Sequence, residues 1–302
     1  MLTVVIPSYN EDKIIRKTIS VLCSLLEKEQ IDYELLFVND GSNDNTQRIL
    51  EQEASLNPHI HVIMFSRNFG KESAIAAGLA LSKGECVAVM DGDLQHPPKV
   101  LVQMYRLWES GYEVVNGVKK TRGEESVMHK FSSRMFYKIM TQTTGLDMSG
   151  SSDFKLLDRK VVDILMAMPE YHSFFRALSS WVGFNSTSVE FDVADREEGE
   201  SKWSTRALIK YAVNNILEFS SAPMQIVTVA GIVTFIIAFV VSIQTLIRYF
   251  IGASAEGFTT VIILMLLLGS VLMLGIGVLG LYISKIYDEV KRRPRYIISK
   301  YI

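Results

Sequence analysis

The sequence predicts an α/β domain built on a mainly parallel sheet, followed by a two-helix transmembrane hairpin. Three observations predict it. Short β-branched runs alternate with helix-periodic segments between residues 3 and 91. Residues 224–283 are almost free of charge. Acidic residues recur where the early strands end, as they do where a parallel sheet presents a site beyond its carboxyl edge.

Taken in order, TVVIP (3–7), ELLFVND (34–40), HVIMFS (61–66) and CVAVMD (86–91) are short, apolar and β-branched, and read as strands. Between the first two, EDKIIRKTISVLCSLLEKE (11–29) places Ile15, Ile19, Leu22 and Leu26 at helical spacing. A second helix is expected from Asn43 to about Ala54 and a third from about Glu72 to Leu81. Strands alternating with helices make βαβ units, hence a mainly parallel sheet covered on both faces.

The two apolar segments, MQIVTVAGIVTFIIAFVVSIQTLI (224–247) and FTTVIILMLLLGSVLMLGIGVLGLYI (258–283), each exceed the ~30 Å hydrocarbon core at ~1.5 Å per residue. The connection 248–257 carries one Arg, whereas KRRPR (291–295), Lys285 and Lys300 follow the second span and Arg206 and Lys210 precede the first. By the positive-inside rule both termini and the large N-terminal domain are expected on the cytoplasmic side of a cell membrane. Residues 206–221, RALIKYAVNNILEFSS, predict an amphipathic interfacial helix. The expected organisation is a cytosolic domain (1–205), the interfacial helix (206–222), two spans (within 223–284) and a basic cytosolic tail (285–302).

The 302 residues are 48% apolar, with a formal charge of −2 that argues against a nucleic-acid binder. The basic tail suits anionic lipid headgroups instead. No basic n-region or cleavage pattern marks a signal peptide. Cys23 and Cys86 fit a reducing compartment and need no disulfide. GIGVLG (275–280) matches a dinucleotide-loop pattern, but inside a membrane span it reads as a helix-packing surface. Ala230, Thr234, Ala238 and Ser242 form a small-residue stripe in the first span, suited to close helix contact.

Acids fall at strand ends: Glu11 after the first strand, Asp40 in VNDGSND (38–44), and Asp91 and Asp93 in VMDGDLQHPP (89–98). Asp40 alone reads equally as turn chemistry. Two like charges as close as Asp91 and Asp93 repel unless a cation lies between them, and a divalent ion with oxygen ligands is the simplest such partner. His96 offers a third ligand, but a lone His before Pro97-Pro98 reads more readily as a loop residue, and Gln95 is the better neighbour for the metal.

IPSYNE (6–11), VNDGSND, SRNFGKESAIAAG (66–78), MDGDLQHPP and the C-terminal hairpin together resemble the polyisoprenyl-phosphate glycosyltransferases. These are relatives of dolichyl-phosphate mannose synthase with the Rossmann-like GT-A fold, and the bacterial bactoprenol (undecaprenyl-phosphate) enzymes are the subgroup matched best. The resemblance covers essentially the whole chain. It implies that Pro7, Tyr9, Glu11, Val38, Asp40, Asp91 and Gly92 bind the nucleotide-sugar. It implies that Asp91, Asp93 and Gln95 hold Mg²⁺ or Mn²⁺ against the donor diphosphate, and that Asp93 and Asp153 are catalytic. SGSSDFKLLDRK (149–160) supplies Asp153, and DREEGESKWS (195–204) supplies Arg196 and Lys202 for phosphate contacts. NGVKKTRGEESVMHKFSSRMFY (116–137) matches more loosely and offers Lys119, Arg122, Lys130, Ser133 and Arg134 for the acceptor phosphate, where related synthases have Arg at the place of Lys119.

The implied reaction is inverting transfer of a sugar, glucose or N-acetylglucosamine, from a UDP-sugar to undecaprenyl phosphate, for cell-envelope glycosylation. A phosphate acceptor with a second pKa of about 6 is largely ionised at neutral pH, so Asp153 reads as an orienting group first and a base second. The resemblance also implies a homo-oligomer, a tetramer, with a flippase and an outer-face glycosyltransferase downstream. A processive synthase needs more membrane helices and a QxxRW motif, which is absent from the sequence. A pyrophosphorylase has no use for the hairpin. A catalytically silent scaffold sensing nucleotide-sugar is the alternative, and the metal-ready carboxylates argue against it. HSFFRALSSWVGF (172–184) reads as domain core before a lip for the prenyl chain.

Overall fold

The computed structural model of the protein describes residues 1–120, 151–168, 170, 175–192, 222–251 and 258–302. Two compact units appear: Met1–Ser204 together with Arg293–Ile302, and Thr205–Arg292.

The first unit opens with β1 (Leu2–Ser8), α1 (Ile15–Lys28), β2 (Tyr33–Asn39), α2 (Thr46–Leu56), β3 (Ile60–Phe65), α3 (Lys71–Leu81) and β4 (Cys86–Val89). It continues through α4 (Pro98–Glu109), β5 (Val114–Lys119), β6 (Ser151–Asp158), α5 (Arg159–Ala167), α6 (Phe175–Trp181) and β7 (Ser186–Phe191), and closes with β8 (Ile298–Tyr301). The four expected strands and three expected helices are all present. In α1 the predicted Ile15, Ile19, Leu22 and Leu26 are buried. α2 starts at Thr46 rather than Asn43, because Asp44 Oδ1 accepts the Thr46 N–H at 3.0 Å and turns the chain first.

The eight strands order as β7-β5-β6-β4-β1-β2-β3-β8. β1 lies parallel to both β2 and β4, and β2 parallel to β3. Strand order therefore reverses between β1 and β4, the switch point where such sheets form a ligand crevice. β6 runs antiparallel between β4 and β5, so the second half of the sheet is mixed. The core is apolar on both sheet faces: Leu2, Val4, Ile6, Leu35, Phe37 and Phe154 are fully buried on one, and Val5, Val38 and Val89 on the other.

The second unit holds α7 (Ala222–Phe250) and α8 (Phe258–Lys291), each containing a stretch long and apolar enough to cross a membrane. A methyl placed on Gly275 would lie 3.1 Å from Val227, so the first glycine of GIGVLG packs against the other helix, whereas Gly277 and Gly280 have open space beside them. Of the small-residue stripe, Ala230, Thr234 and Ala238 are partly or fully covered while Ser242 is exposed, since 3.6 residues per turn carries a strict four-residue repeat off the contact face. Residues 206–221, expected as an interfacial helix, lie outside the described residues. Within the expected basic tail, residues 285–291 finish α8, and β8 pairs antiparallel with β3, a strand unanticipated from sequence.

Candidate active site

The carboxyl ends of β1, β2 and β4 bring three predicted segments together. Pro7 on β1 pairs in register with Val38 on β2, and both are buried. The loop after β1 is tied to the loop after β2: Asn10 Oδ1 accepts from the Asn43 amide at 2.9 Å, and the Glu11 amide donates to Thr46 Oγ1 at 2.9 Å. Asn10 holds a left-handed φ of 54°, one of the few side chains that tolerate it.

Asp40, just past β2, is 4% exposed. Its Oδ1 accepts the Phe69 amide at 2.6 Å and its Oδ2 the Gly70 amide at 2.9 Å. Burial raises its carboxyl above the ordinary value, against the pull of those two amides. Gly41 follows at φ +65°, and a Cβ there would lie 2.6 Å from Asn68 N, so the β3–α3 loop packs directly on this turn. Asp40 thus fixes the loop that begins α3.

The next residue of that loop reaches the DGD acids. Lys71 Nζ lies 2.5 Å from Asp91 Oδ1 and 2.8 Å from Asp153 Oδ2, bridging β4 to β6. Burial lowers the Lys71 pKa, but the Asp91 and Asp153 charges outweigh it and hold the ammonium above its ordinary value. Burial would raise Asp91, and the Lys71 charge reverses this and lowers it. Asp153 is also gripped by Arg176 of α6, with Nε 2.5 Å from Oδ1 and Nη2 2.9 Å from Oδ2. Despite burial, Lys71 and Arg176 together keep Asp153 well below the usual carboxylate range. A carboxylate so held orients its neighbours and is a poor proton acceptor.

α6 is itself anchored twice. Glu72 Oε2 accepts the Phe175 amide at 3.0 Å at the helix start. Burial, and then the Asp153 charge, raise Glu72 to about 7. Lys155, fully buried on β6, donates to Ser179 Oγ at 2.8 Å, and burial pulls its ammonium down to about 7. Phe175, Ala177, Leu178 and Ser179 are buried, so this part of the aromatic segment is core, while Trp181 is exposed.

The residues present fit a divalent cation. Asp91 and Asp93 are half-buried oxygen donors one residue apart, and Asp91 already attracts a cation, the Lys71 ammonium. A Cβ on Gly92 between them would sit 2.7 Å from Glu11 Oε2, so a side chain there would have to displace the Glu11 carboxylate. Among the described residues, no three or more His, Cys, Asp or Glu side chains form a metal-holding group. Few protein ligands are what a diphosphate-bound Mg²⁺ requires. Asp93 Oδ1 also accepts the Gln95 amide at 3.1 Å, which keeps Gln95 beside the acids. His96 is 2% exposed, stacks on Phe154 at 4.8 Å, and is held by burial at about 4, neutral. It lies in the loop, as its place before two prolines predicts, and its burial makes it an anchor of that loop.

Of the remaining predicted residues, Lys119 ends β5, in register with Phe191 of β7, and is exposed yet within reach of the cluster's charges. Lost hydration lowers its ammonium, the Asp91 and Asp93 charges oppose this, and Arg176 and Lys71 reinforce it. Tyr9 is half-buried after β1. Arg122, Lys130, Ser133, Arg134, Arg196 and Lys202 lie outside the described residues. Lys71, Glu72 and Arg176 were missed from sequence. Lys71 and Glu72 stand in the quoted SRNFGKES motif, and Arg176 is the one cation in an otherwise apolar and hydroxyl-rich stretch, FFRALSSW. Those were the available signals.

Residues 3–165 match the family model described as glycosyl transferase family 2. Over 99% of its length the chain is 37% identical to the uncharacterized glycosyltransferase YkcC of Bacillus subtilis, spanning 93% of that protein. It is 33% identical, again over 99%, to a bactoprenol glucosyl transferase of Shigella phage SfII, spanning 97% of it. Glucosyl-3-phosphoglycerate synthase from Mycobacterium tuberculosis, solved with Mn²⁺, UDP and phosphoglyceric acid, superposes with a TM-score of 0.54 at 18% identity, over 72% of this chain and 76% of that one. At that identity the likeness concerns fold alone.

Proposed function

The chain belongs to glycosyl transferase family 2, with a GT-A sheet, and on that premise we propose that it moves glucose from UDP-glucose to undecaprenyl phosphate, inverting the anomeric carbon. UDP-N-acetylglucosamine is the second donor to test. The observation that carries the proposal is the charge cluster at the switch point, Asp91 joined through Lys71 to Asp153, in a chain with two membrane-length apolar helices. The bactoprenol glucosyl transferases similar over the full chain support the choice of sugar and acceptor.

Pro7, Tyr9 and Glu11 line the base and ribose pocket with Val38 and Asp40 opposite them, and Gly92 contributes to the nucleotide-sugar site. Asp91 and Asp93, with Gln95 beside them, would hold Mg²⁺ or Mn²⁺, which supplies positive charge against the departing diphosphate. Lys71 adds a second cation beside Asp91, able to exchange Asp91 for a phosphate oxygen because its side chain is 41% exposed. Arg176 holds Asp153 ionised, and Asp153 positions Lys71 rather than accepting a proton. The acceptor needs no strong base, since a phosphate monoester is already an anion near pH 7. Its approach to a second anion is shielded by the basic residues Lys119, Arg122, Lys130, Arg134, Arg196 and Lys202, with the Ser133 hydroxyl as a further donor to the phosphate. Both apolar helices cross the membrane, with the catalytic unit on the cytoplasmic side, and hold the site at the bilayer surface from which the acceptor cannot leave.

The test is transfer of radiolabelled sugar from UDP-glucose and UDP-N-acetylglucosamine into undecaprenyl phosphate, with and without Mn²⁺ or Mg²⁺, beside an Asp93→Ala protein. Metal-dependent label in the lipid phase, lost in the variant, is expected. A folded protein that binds UDP yet labels no lipid from any donor would sink the proposal in favour of a silent nucleotide-sugar sensor.

A further inference from the structure

Six residues, 292–297, separate the end of α8 from β8. β8 then joins the catalytic sheet at its β3 edge, with Ile63 opposite Tyr301 and Met64 opposite Lys300. The pairing shifts between Met64 and Phe65, where β3 gives way to the loop that delivers Lys71. Past the shift, the Ser66 amide donates to Ile297 O at 3.0 Å. The Tyr296 ring stacks on Phe65 with centroids 5.2 Å apart and planes 9° apart, and Phe65 meets Phe69 edge-on at 5.7 Å. Phe69 is the residue whose amide Asp40 accepts, and Lys71 follows two positions later. The β3–α3 loop is thus held from the sheet side by a carboxylate and from the edge side by a ladder of rings that starts in the tail.

We propose that Tyr296 is a positioning residue for the donor site: through Phe65 and Phe69 it fixes the loop that places Lys71 against Asp91 and Asp153. The chain leaving the second apolar helix thereby acts on the site, and the ordering of the loop depends on the tail being docked. The part of this that concerns donor binding rests on the proposed function; the ordering of the loop does not.

The experiment is hydrogen–deuterium exchange on the full-length protein, reading the peptide that carries Phe69 and Gly70, together with steady-state transfer kinetics. Tyr296→Ala is compared with Tyr296→Phe, which keeps the ring, and with Lys300→Ala, which loosens β8 at its Glu51 contact away from the loop. Exchange is expected to quicken about tenfold in Tyr296→Ala and to stay within about twofold in the other two. KM for the UDP-sugar is expected to rise about fivefold in Tyr296→Ala, with kcat and the acceptor KM within about twofold. Unchanged exchange in Tyr296→Ala, or equal loosening by Lys300→Ala, overturns the ladder as the cause. Loosened exchange with an unchanged donor KM overturns the role in donor binding. A wild-type protein without turnover from any donor removes the proposed function, while the exchange comparison still decides whether Tyr296 orders the loop.

Discussion

Asp40 and Asp91 occupy matching places, each just past a parallel strand, β2 and β4, and they are satisfied in opposite ways. Asp40 is 4% exposed and both its oxygens accept backbone amides, a partnership that no ligand displaces without unmaking the loop. Asp91 has 32% of its side chain exposed and pairs with the ammonium of Lys71, which ends a flexible stem. The pKa directions follow: burial raises Asp40, whereas the Lys71 charge overcomes burial and lowers Asp91. One carboxylate is built into the scaffold and the other is left with an exchangeable partner. Chemistry belongs to the second kind, because a reacting anion or a metal can enter an ion pair more readily than a hydrogen-bonded turn.

The sharpest way to break this contrast is to neutralise the acids of the DGD loop. Asp91→Asn and Asp93→Ala are each expected to cut kcat for transfer by about 10³-fold, with thermal unfolding in detergent little changed. Lys71 keeps Asp153 as a partner when Asp91 is lost, so no buried charge is orphaned. Lys71→Met comes next, with a loss of about 10²-fold. It also shifts the acid limit of stability. In the wild type, Asp91 and Asp153 sit below their unfolded values, so their stabilisation is present above about pH 3.9 and fades as pH falls through the folded values. Without Lys71, burial dominates at Asp91 and acid unfolding is expected to begin at higher pH, as a pH series of thermal melts would show. Identical acid limits in the two proteins would mean that the ion pair carries no weight.

Asp40→Asn is expected to behave in the opposite sense. One of its two amide donors would face an NH₂ group, costing about 1–3 kcal/mol of stability, seen as a drop of several degrees in the thermal midpoint. Transfer should retain kcat within about threefold while the donor KM rises, because the loop is loosened rather than the chemistry removed. A thousandfold loss of kcat in Asp40→Asn would erase the distinction between the two acids.

How far the sequence reaches follows the same line. The four early strands, α1 and the membrane-length helices were legible because burial imposes a local period: alternation for strands, 3.6 residues for Ile15 to Leu26, and unbroken apolar length in 224–247. The acids at strand ends were legible because parallel topology dictates where strand ends meet. Lys71 and Arg176 were not, since their meaning lies in Asp153, 82 and 23 residues away, and a single cation has no period. β8 was hidden for the same reason. ISKY sits in a basic stretch that satisfies a headgroup reading, and only pairing with β3, 235 residues away at the Ser299–Met64 bond, makes it a strand. The mixed half of the sheet is likewise set by β6 entering antiparallel between β4 and β5, a long-range choice that no local run of residues encodes.

The smallest effect is expected one residue past Lys71, where Glu72 tests whether a buried acid next to the cluster belongs to scaffold or chemistry. Glu72 is raised to about 7, by burial first and the Asp153 charge second, and its Oε2 caps the start of α6 through Phe175. An acid whose folded pKa exceeds its unfolded value near 4.3 holds its proton more tightly when folded, so its contribution to stability declines as pH rises from about 4.3 to about 7 and is constant above. Glu72→Gln keeps an oxygen for the Phe175 amide and removes the titration. Melts across that window should lose this downward slope in the variant, while transfer at pH 7.5 stays within about threefold of wild type. Retention of the slope would place the titrating group elsewhere. A large fall in kcat with Arg176 still seated on Asp153 would move Glu72 from the scaffold side of the comparison to the side of Asp91.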